Sequence, residues 1–349
     1  MNIIKEMEIK DFKDRENSLF ICIGGFEDRS VAIVKFLEDK EQIFFRYSLR
    51  LEYSTHIEDN KSNVQKIKTI LPKISENVLK TPEINVDDIY KSKINILKEL
   101  KKIKSNEIQS IFIDISGMTN SLILLIIQQI KNLFLKVDIY ILYAEAEMYY
   151  PSPIQSEEIL SLMNSNNDKD ILELSKKLGA SGTKEVTILP DFKGSFSDDK
   201  PICLIFFVGY EPSRAAGLLE TYRPNKIIAC YGISPHDQFK WRTDFSKKLH
   251  KRILKQFEYI EKDISTFEIN KIITELENIY ISTERGLKNK RLFEYYNIAI
   301  TPQCSKLQTI ACYLFTQMHP DVQIVFCLPG KFNPKRYSSG IGKIWLYNL

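Results

Sequence analysis

The chain carries the same strand-turn-helix pattern twice. An apolar run at residues 19–23 ends in a turn that contains Gly25, and apolar residues then recur at helical spacing. The run at residues 202–208 ends in the same way at Gly209, which follows Gly25 by 184 positions (209 minus 25). A strand that passes through a glycine turn into a helix is the basic step of a parallel sheet. This feature therefore limits the chain to α/β folds.

Three further pairs of strand candidates extend the correspondence between the two halves. They are residues 42–48 with 226–232, residues 112–115 with 297–300, and residues 137–142 with 322–327. The first pair keeps the difference of 184 and matches Tyr47 to Tyr231, whereas the other two pairs differ by 185. One insertion accounts for the whole register, so we interpret the chain as a tandem duplication.

Helical patterns separate the strand candidates in both copies. They lie near residues 61–71, 91–104, 244–258 and 271–280. This alternation predicts the α/β class: two tandem Rossmann-like units, each a mostly parallel sheet with helices on both faces. We expect a first unit at residues 1–160, a linker at residues 161–200 and a second unit at residues 201–349.

Composition narrows the classes of function. The formal net charge is only +4, from 49 basic and 45 acidic residues, so there is no strong signal for binding to polymeric nucleic acid. Any anion site must be local. The N-terminus lacks an apolar signal core, and the most apolar run, residues 122–127, is followed by Gln128 and Gln129. We therefore expect a cytoplasmic protein with no membrane partner.

Cysteine and histidine spacing gives no indication of a metal. The six cysteines show no Cys-x-x-Cys pattern, and the four histidines are not paired at ligand spacing. We read the cysteines as buried reduced thiols and expect neither a metal nor a cofactor. No P-loop or Gly-x-Gly-x-x-Gly fingerprint is present.

The turn after the first strand of each copy is a candidate ligand site. Its members are Gly25, Phe26, Glu27 and Arg29 in the first copy, and Gly209, Tyr210, Glu211 and Arg214 in the second. The helix N-terminus that follows favours anions, and the aromatic residue could stack on a base. A local ion pair between Glu27 and Arg29, with Phe26 packed in the core, explains the same residues, so both interpretations stay open.

A second motif follows the third strand candidate of the first copy. It consists of Asp114, Ser116, Gly117, Thr119 and Asn120. Small side chains and exposed amides at a helix start form a polar cradle for a ligand. Helix capping by Ser116 or Thr119 also explains the motif, but capping is compatible with binding, and we favour a binding role.

The second copy differs chemically at this place. It reads Thr301, Ser305 and Lys306, and Ala299 takes the position of Asp114. Cys304 precedes the helix, but no general base is visible near it in the sequence, which disfavours a catalytic thiol. Near the C-terminus, residues 330–340 form a basic loop that either closes over an anionic ligand or is simply solvated.

These residues resemble the CRISPR-associated Rossmann fold (CARF) domains. The segment Asp114–Asn120 is similar to the Asp-x-Thr-Gly-Gly-Thr-Lys signature of that family, with Met118 in place of the second glycine and Asn120 in place of lysine. Two such units in one chain resemble the SAVED arrangement of fused CARF-like domains. The resemblance implies a bacterial antiviral sensor of cyclic oligoadenylates or related nucleotides, and some members of such families cleave their ligand.

Three functions remain open at this point. The first, which we favour, is a sensor that binds a nucleotide-type small molecule in a pocket between the two units and acts through a separate effector protein. The second is a nucleotide- or nucleoside-cleaving enzyme with Glu27, Glu211 or Asp114 as acid or base. The third is a non-catalytic scaffold subunit of a defence complex. The paired strand-end motifs without a recognisable catalytic set favour binding over catalysis.

Overall fold

The structure is a computed structural model that describes residues 5–8, 17–40, 44–163, 174, 177–283 and 290–349. The strands are β1 (Lys5–Glu8), β2 (Ser18–Ile23), β3 (Phe45–Tyr53), β4 (Ser75–Val78), β5 (Glu83–Ile84), β6 (Ser110–Asp114), β7 (Asp138–Ala144), β8 (Met148–Tyr149), β9 (Ala180–Ile188), β10 (Ile202–Val208), β11 (Lys226–Ile233), β12 (Tyr259–Ser265), β13 (Asn297–Pro302), β14 (Gln323–Phe332), β15 (Ser338–Ser339) and β16 (Ile344–Asn348). The α-helices are α1 (Ala32–Glu38), α2 (Ile57–Ile74), α3 (Ile89–Leu100), α4 (Asn120–Leu133), α5 (Pro153–Met163), α6 (Pro212–Tyr222), α7 (Trp241–Leu254), α8 (Ile269–Tyr280), α9 (Leu292–Tyr295) and α10 (Lys306–Met318).

Unit 1 comprises residues 1–150 and 337–349. Its sheet has the order β1-β16-β7-β6-β2-β3-β4, and β5 also pairs with β3. The strands β2, β3, β4, β6 and β7 run parallel. The first of these, β2, lies in the middle, with the next two strands on one side and the last two on the other, which is a Rossmann-like order. The antiparallel strands β16 and β1 extend the sheet beyond β7.

Helices cover both faces of this sheet. Phe20 and Cys22 of β2 pack with apolar residues of α1 and α2 on one face. Side chains alternate along a strand, so Ile21 and Ile23 point to the other face, where they are also buried. Burial on both faces explains why the strands appear in the sequence as continuous apolar runs.

Unit 2 comprises residues 151–336. Its sheet has the order β12-β11-β10-β13-β14-β9. The first five of these strands are parallel and repeat the order of unit 1, with β10 in the place of β2, while β9 is antiparallel at the edge. The predicted α/β class with two Rossmann-like units is confirmed. In the part of the chain that the structure describes, no helix combines the length and the apolar character needed to cross a membrane.

The strand registers correct two predicted correspondences between the copies. At the difference of 184, Leu19 matches Cys203, and their partners on the next strand are Tyr47 and Lys226. Tyr47 is therefore not the equivalent of Tyr231, which is fully buried whereas Tyr47 is half-buried. An apolar run that is buried on both faces has no polar alternation to fix its register. The alignment of residues 42–48 with 226–232 from the sequence was therefore out of register.

The second correction concerns the fourth strand. The partners of Ile21 and Ile205 on that strand are the residues that precede Asp114 and Thr301. Thr301, rather than Ala299, therefore occupies the position of Asp114.

The unit boundaries differ from the expected ones. The C-terminal strand β16 pairs with β7 of unit 1, where Leu346 lies opposite Leu142. Strand β9 lies within the expected linker and pairs with β14 of unit 2. In both cases the partner strand is far away along the chain, so local patterns carry no signal of which sheet the segment joins. Residues 164–173 and 175–176 of the expected linker lie outside the described residues.

Candidate functional site

The strand order reverses beside the first parallel strand of each unit. This place lies between β2 and β6 in unit 1 and between β10 and β13 in unit 2. Ligands of open α/β sheets bind in the cleft beyond the carboxyl ends of two such strands. We call these places the unit 1 switch point (residues 24–30 and 114–120) and the unit 2 switch point (residues 209–214 and 301–306). All the predicted site residues lie in these four segments.

The two turns of the unit 1 switch point are in close backbone contact. A Cβ atom at Gly117 would lie 2.9 Å from the carbonyl oxygen of Ile23 and 3.0 Å from the Cβ of Ser30. A Cβ atom at Gly25 would lie 3.3 Å from the carbonyl oxygen of Gly117. Glycine allows this approach because it has no side chain to displace the neighbouring backbone. The structure therefore brings the two predicted motifs of the first copy together.

Glu27 and Arg29 form a buried ion pair. Nη2 of Arg29 donates to the two carboxylate oxygens of Glu27 at 2.8 and 3.1 Å. The guanidinium also donates to the hydroxyl of Tyr143 at 3.3 Å and lies 5.9 Å from the ring centre of Tyr149. Burial acts to lower the pKa of Arg29, but Glu27 and the two tyrosines raise it above its ordinary value. The local ion pair that the sequence left open is therefore present and charged.

The carbonyl oxygen of Gly25 receives two side-chain donors. The hydroxyl of Ser30 donates to it at 2.8 Å and the amide of Asn63 at 2.9 Å. The same amide reaches the carbonyl oxygen of Glu27 at 3.2 Å. Sequence reasoning missed Asn63, although an amide on the buried face of an amphipathic helix such as α2 is a signal that could have found it.

Tyr53 joins the end of β3 to the start of α4. Its hydroxyl donates to the carbonyl oxygen of Gly117 at 3.1 Å and accepts the N–H of Thr119 at 2.9 Å. Burial raises the pKa of Tyr53, and the negative charge of Glu27 adds to the rise. The hydroxyl therefore stays protonated, and Glu27 acts on this bridge electrostatically. Sequence reasoning missed Tyr53 too, because a tyrosine at a strand end is not distinctive.

Asp114 and Ser116 shape the loop after β6. Asp114 is 1% exposed, and its Oδ1 accepts the N–H of Ser116 at 2.9 Å, which closes an Asx turn. The hydroxyl of Ser116 accepts the N–H of Ala144 on β7 at 2.9 Å. Met118, which replaces a glycine of the CARF signature, is buried. These contacts hold the loop in one conformation.

Helix α4 starts at this loop. Thr119 is the N-cap, and its Oγ1 accepts the N–H of Leu122 at 3.4 Å, which is long for a hydrogen bond. Leu122 is apolar and cannot return a side-chain bond to the N-cap as a capping box would. Asn120 is the first helical residue and is half-buried. The N-terminus of α4 thus keeps its dipole directed at the unit 1 switch point.

The C-terminal segment 337–343, which we call the strap, lies on the turn after β2. The hydroxyl of Ser338 donates to Oε1 of Glu27. The backbone N–H of Gly340 donates to Oδ2 of Asp28 at 2.9 Å. Two neighbouring carboxylates of the candidate site are therefore occupied by donors of the same chain.

The strap also covers the aromatic residue of this turn. The ring of Tyr337 meets the ring of Phe26 edge-on, with centroids 5.7 Å apart. Strand β15 within the strap pairs with the two-residue strand β8. The sequence left open whether the basic loop at residues 330–340 closes over an anion or is solvated. The described contacts of its last residues with the turn use a ring, a hydroxyl and a backbone N–H.

The unit 2 switch point repeats the close backbone contact. A Cβ atom at Gly209 would lie 2.6 Å from the carbonyl oxygen of Gln303. Glu211 and Arg214 form a longer ion pair of 3.5 Å, and Arg214 also donates to the carbonyl oxygen of Cys327 at 2.7 Å. Burial raises the pKa of Glu211, while the charge of Arg214 opposes this rise.

Tyr210 has protein groups against its ring. The guanidinium carbon of Arg242 lies 4.3 Å from the ring centre, and the ring of Phe245 is stacked at 6.1 Å. Arg242 is buried and also donates to the carbonyl oxygen of Pro151 at 3.0 Å. Side chains of unit 2 therefore pack against the ring of Tyr210, and its stacking on a base stays a prediction.

The helix start of the unit 2 switch point is closed by a capping box. Ser305 accepts the N–H of Gln308 at 3.1 Å, and the side chain of Gln308 accepts the N–H of Ser305 at 3.1 Å. Ser305 donates to the carbonyl oxygen of Thr266 at 2.7 Å, and Gln308 donates to that of Ser265 at 2.9 Å. Ser305 is thus engaged in helix capping and loop attachment.

The remaining predicted residues of the second copy have varied surroundings. Thr301 is fully buried at the end of β13, and Lys306 is the first, half-buried residue of α10. Burial raises the pKa of Cys304 well above that of a reactive thiol. Among the described residues, no three His, Cys, Asp or Glu side chains are placed to hold a metal ion.

Comparisons with known proteins give no family. No family model and no curated protein matches the chain. Similar solved structures include a universal stress protein from Archaeoglobus fulgidus DSM 4304 (10% identity, 90% of this chain and 98% of that chain covered, TM-score 0.23) and an isoflavone reductase (13%, 75% and 83%, 0.22). Leucoanthocyanidin reductase with NADPH from Vitis vinifera is similar at 9% identity, with 88% and 92% covered and a TM-score of 0.22. Scores this low carry no argument about function.

Proposed function

We propose that this protein is a sensor that binds a nucleotide-derived ligand, such as a cyclic oligonucleotide, at the unit 1 switch point. The observation that carries the proposal is the meeting of the Gly25 and Gly117 turns at the start of α4. Backbone N–H groups and the dipole at a helix N-terminus bind phosphate oxygens. The Glu27–Arg29 pair on the first of these turns supplies polar groups for the rest of a nucleotide.

Unit 1 is the better candidate for binding because its helix start is less closed. Thr119 makes one long capping bond. In unit 2, Ser305 and Gln308 satisfy each other and the neighbouring loop. A phosphate at that helix would have to displace these bonds. We infer that unit 2 serves mainly as a scaffold.

The charges at the unit 1 switch point favour a phosphodiester over a polyphosphate. The charge of Arg29 is balanced by Glu27, and Asp28 and Asp114 add further carboxylates. Much of the positive potential then comes from the N-terminus of α4, which is equivalent to about half an elementary charge. A singly charged phosphodiester suits such a site, whereas a triphosphate would be repelled by the carboxylates.

The same contacts favour binding over catalysis. Glu27 accepts bonds from Arg29 and Ser338, and Asp114 accepts the N–H of Ser116. A general acid or base must reach the substrate and exchange a proton with it. Asp114 is 1% exposed and holds its own loop, and both carboxylate oxygens of Glu27 accept bonds from Arg29. Glu27 can thus accept a further hydrogen bond from a ligand while it stays paired with Arg29, so we propose a ligand that is bound and not cleaved.

We further propose that the protein acts in the cytoplasm in bacterial antiviral defence, through a separate effector protein. The resemblance of residues 114–120 to the CARF signature supports this part of the proposal. Expression of the gene with its genomic neighbours should reduce phage plaque counts, and a binding-deficient variant should lose this protection. Equal plaque counts with and without the genes would contradict the defence role.

Calorimetry with AMP, ATP and cyclic di-, tri- and tetra-adenylate tests ligand binding. We expect one of the cyclic compounds to bind without turnover, as checked by chromatography of the recovered nucleotide. Asn120→Asp is isosteric and places a negative charge at the start of α4. This charge interacts favourably with the helix dipole, so the helix is kept, but it repels a phosphate. It should weaken binding about tenfold.

Lys306→Glu is the matched control, because it places a carboxylate at the corresponding first position of α10. It should leave nucleotide affinity unchanged. Absence of binding to the wild-type protein and to a variant with a weakened strap would refute the proposed function. Equal effects of the two variants would move the site away from the start of α4.

A further inference from the structure

We infer that the hydroxyl of Ser338 in the strap occupies the position that a ribose hydroxyl of the ligand takes. The ligand of the unit 1 switch point is then a ribonucleotide, which must displace Ser338 from Glu27. This inference rests on the proposed function. It adds the sugar chemistry of the ligand and a conformational consequence of binding.

The two strap contacts give hydrogen-bond donors to two adjacent carboxylates of the turn. Ser338 gives a hydroxyl donor to Glu27, and Gly340 gives an N–H donor to Asp28. Adjacent carboxylates that each accept a donor are suited to the hydroxyl groups of a ribose. A phosphodiester has no such donor, so the sugar is the part of the ligand that matches this turn.

Glu27 is also correctly placed for a sugar beside the phosphate position. The turn that carries Glu27 touches the loop before α4, because a Cβ atom at Gly25 would lie 3.3 Å from the carbonyl oxygen of Gly117. The carboxylate that holds Ser338 is therefore on the turn next to the helix N-terminus. A phosphate at α4 and a ribose hydroxyl at Glu27 fit one nucleotide.

The strap is held by backbone hydrogen bonds at its two ends and has little buried surface between them. Tyr337 accepts the N–H of Tyr150, residues 342 and 343 bond to Glu145, and Ser338 and Ser339 pair with β8, while the strap residues are half-buried or exposed. After it, Leu346 and Tyr347 of β16 are 1% and 2% exposed. Segments with few buried contacts open at low free energy, so the strap can leave the turn without the loss of β16.

Departure of the strap does not leave a bare buried charge. Glu27 keeps its two bonds from Arg29 after Ser338 leaves. Gly340, whose N–H bonds to Asp28, has a φ of 71°, a backbone conformation that favours glycine. The exchange of one hydroxyl for another at Glu27 therefore changes the free energy little. The phosphate contacts at α4 then determine whether the ligand binds.

The experiment compares Ser338→Ala with Ser339→Ala, its exposed neighbour in the same two-residue strand. Calorimetry uses the same adenylate panel and the 2′-deoxy form of the tightest compound. Ser338→Ala removes the competing hydroxyl and should tighten binding about three- to tenfold, whereas Ser339→Ala should not. The 2′-deoxy compound should bind wild-type protein about tenfold more weakly than the ribose form.

Hydrogen exchange of the strap gives an independent readout. Bound ribonucleotide should speed amide exchange at residues 338–343, and Ser338→Ala should do so without ligand. If nucleotides bind but Ser338→Ala has wild-type affinity, or the 2′-deoxy form binds equally well, the inference is refuted and the proposed function stands. If neither wild type nor Ser338→Ala binds any compound, the proposed function fails, and the inference fails with it.

Discussion

Helix α4 of unit 1 and helix α10 of unit 2 start at equivalent places, after the fourth parallel strand of sheets with the same order. In unit 2 the start is closed by the Ser305–Gln308 capping box and by bonds to the neighbouring loop. In unit 1 the start has one long cap bond from Thr119 and a tyrosine bridge. The same topology therefore supports a helix start with a full capping box in one unit and a helix start with a single long cap bond in the other.

The chain provides a separate reporter for each side of this comparison. Its two tryptophans are Trp345 in unit 1 and Trp241 in unit 2. Trp345→Phe leaves fluorescence from unit 2 alone, and Trp241→Phe leaves fluorescence from unit 1 alone. Denaturant unfolding of these two backgrounds measures the free energy of unfolding that each unit reports.

The largest expected difference between the units is their response to acid. In unit 2, Ser246 caps the carbonyl oxygen of Gly209, and His250 donates from Nδ1 to the carbonyl oxygen of Ser246. Burial lowers the pKa of His250 from 6.5 to about 4. In unit 1 the corresponding carbonyl oxygen is held by Asn63, which does not titrate.

Because the folded pKa of His250 is lowered, the unfolded chain takes up the proton first. Stability from neutral His250 is complete above pH 6.5 and is lost as pH falls towards about 4. We expect about 3 kcal/mol less stability in unit 2 over this window. His250→Gln keeps an N–H donor and should remove that part of the pH dependence. An unchanged pH profile in this variant would contradict the assignment.

The next expected effect compares the two equivalent glycines. Gly209→Ala places a methyl group 2.6 Å from a backbone oxygen, and Gly25→Ala places one 3.3 Å from its nearest backbone oxygen. Overpacking against backbone should cost unit 2 about 2 kcal/mol, and unit 1 less than about 1 kcal/mol. Unfolding midpoints in the single-tryptophan backgrounds measure both. Equal losses would show that the two turns are packed alike.

The sequence predicts the part of this comparison that is local. Strand, glycine turn and helix N-terminus are neighbours along the chain, so Gly25, Gly209 and the loops after β6 and β13 are recognisable from their residues alone. The parallel order then places these turns together, because carboxyl ends of adjacent parallel strands share one edge.

The contacts that distinguish the two switch points are not local. Ser338 reaches Glu27 across 311 positions, and Tyr53 reaches Gly117 across 64. No periodicity or motif indicates such pairings. Strand β16 is antiparallel and joins a sheet whose parallel strands all end before residue 150. Sequence reasoning therefore found the two turns and the loop at residues 330–340, but not the attachment of its last residues to the turn after β2.

The smallest expected effect concerns the helix caps themselves. Ser305→Ala removes the hydroxyl that accepts the N–H of Gln308 and donates to the carbonyl oxygen of Thr266. Unit 2 should therefore lose about 1 kcal/mol of stability. Thr119→Ala removes one long cap bond and a 3.3 Å hydrogen bond with the hydroxyl of Ser121, so unit 1 should lose about 0.5 kcal/mol. Both are read from unfolding midpoints in the matching single-tryptophan background. A larger loss in unit 1 would mean that Thr119 closes its helix as well as Ser305 does, and the N-terminus of α4 would then be no more open to a phosphate than that of α10.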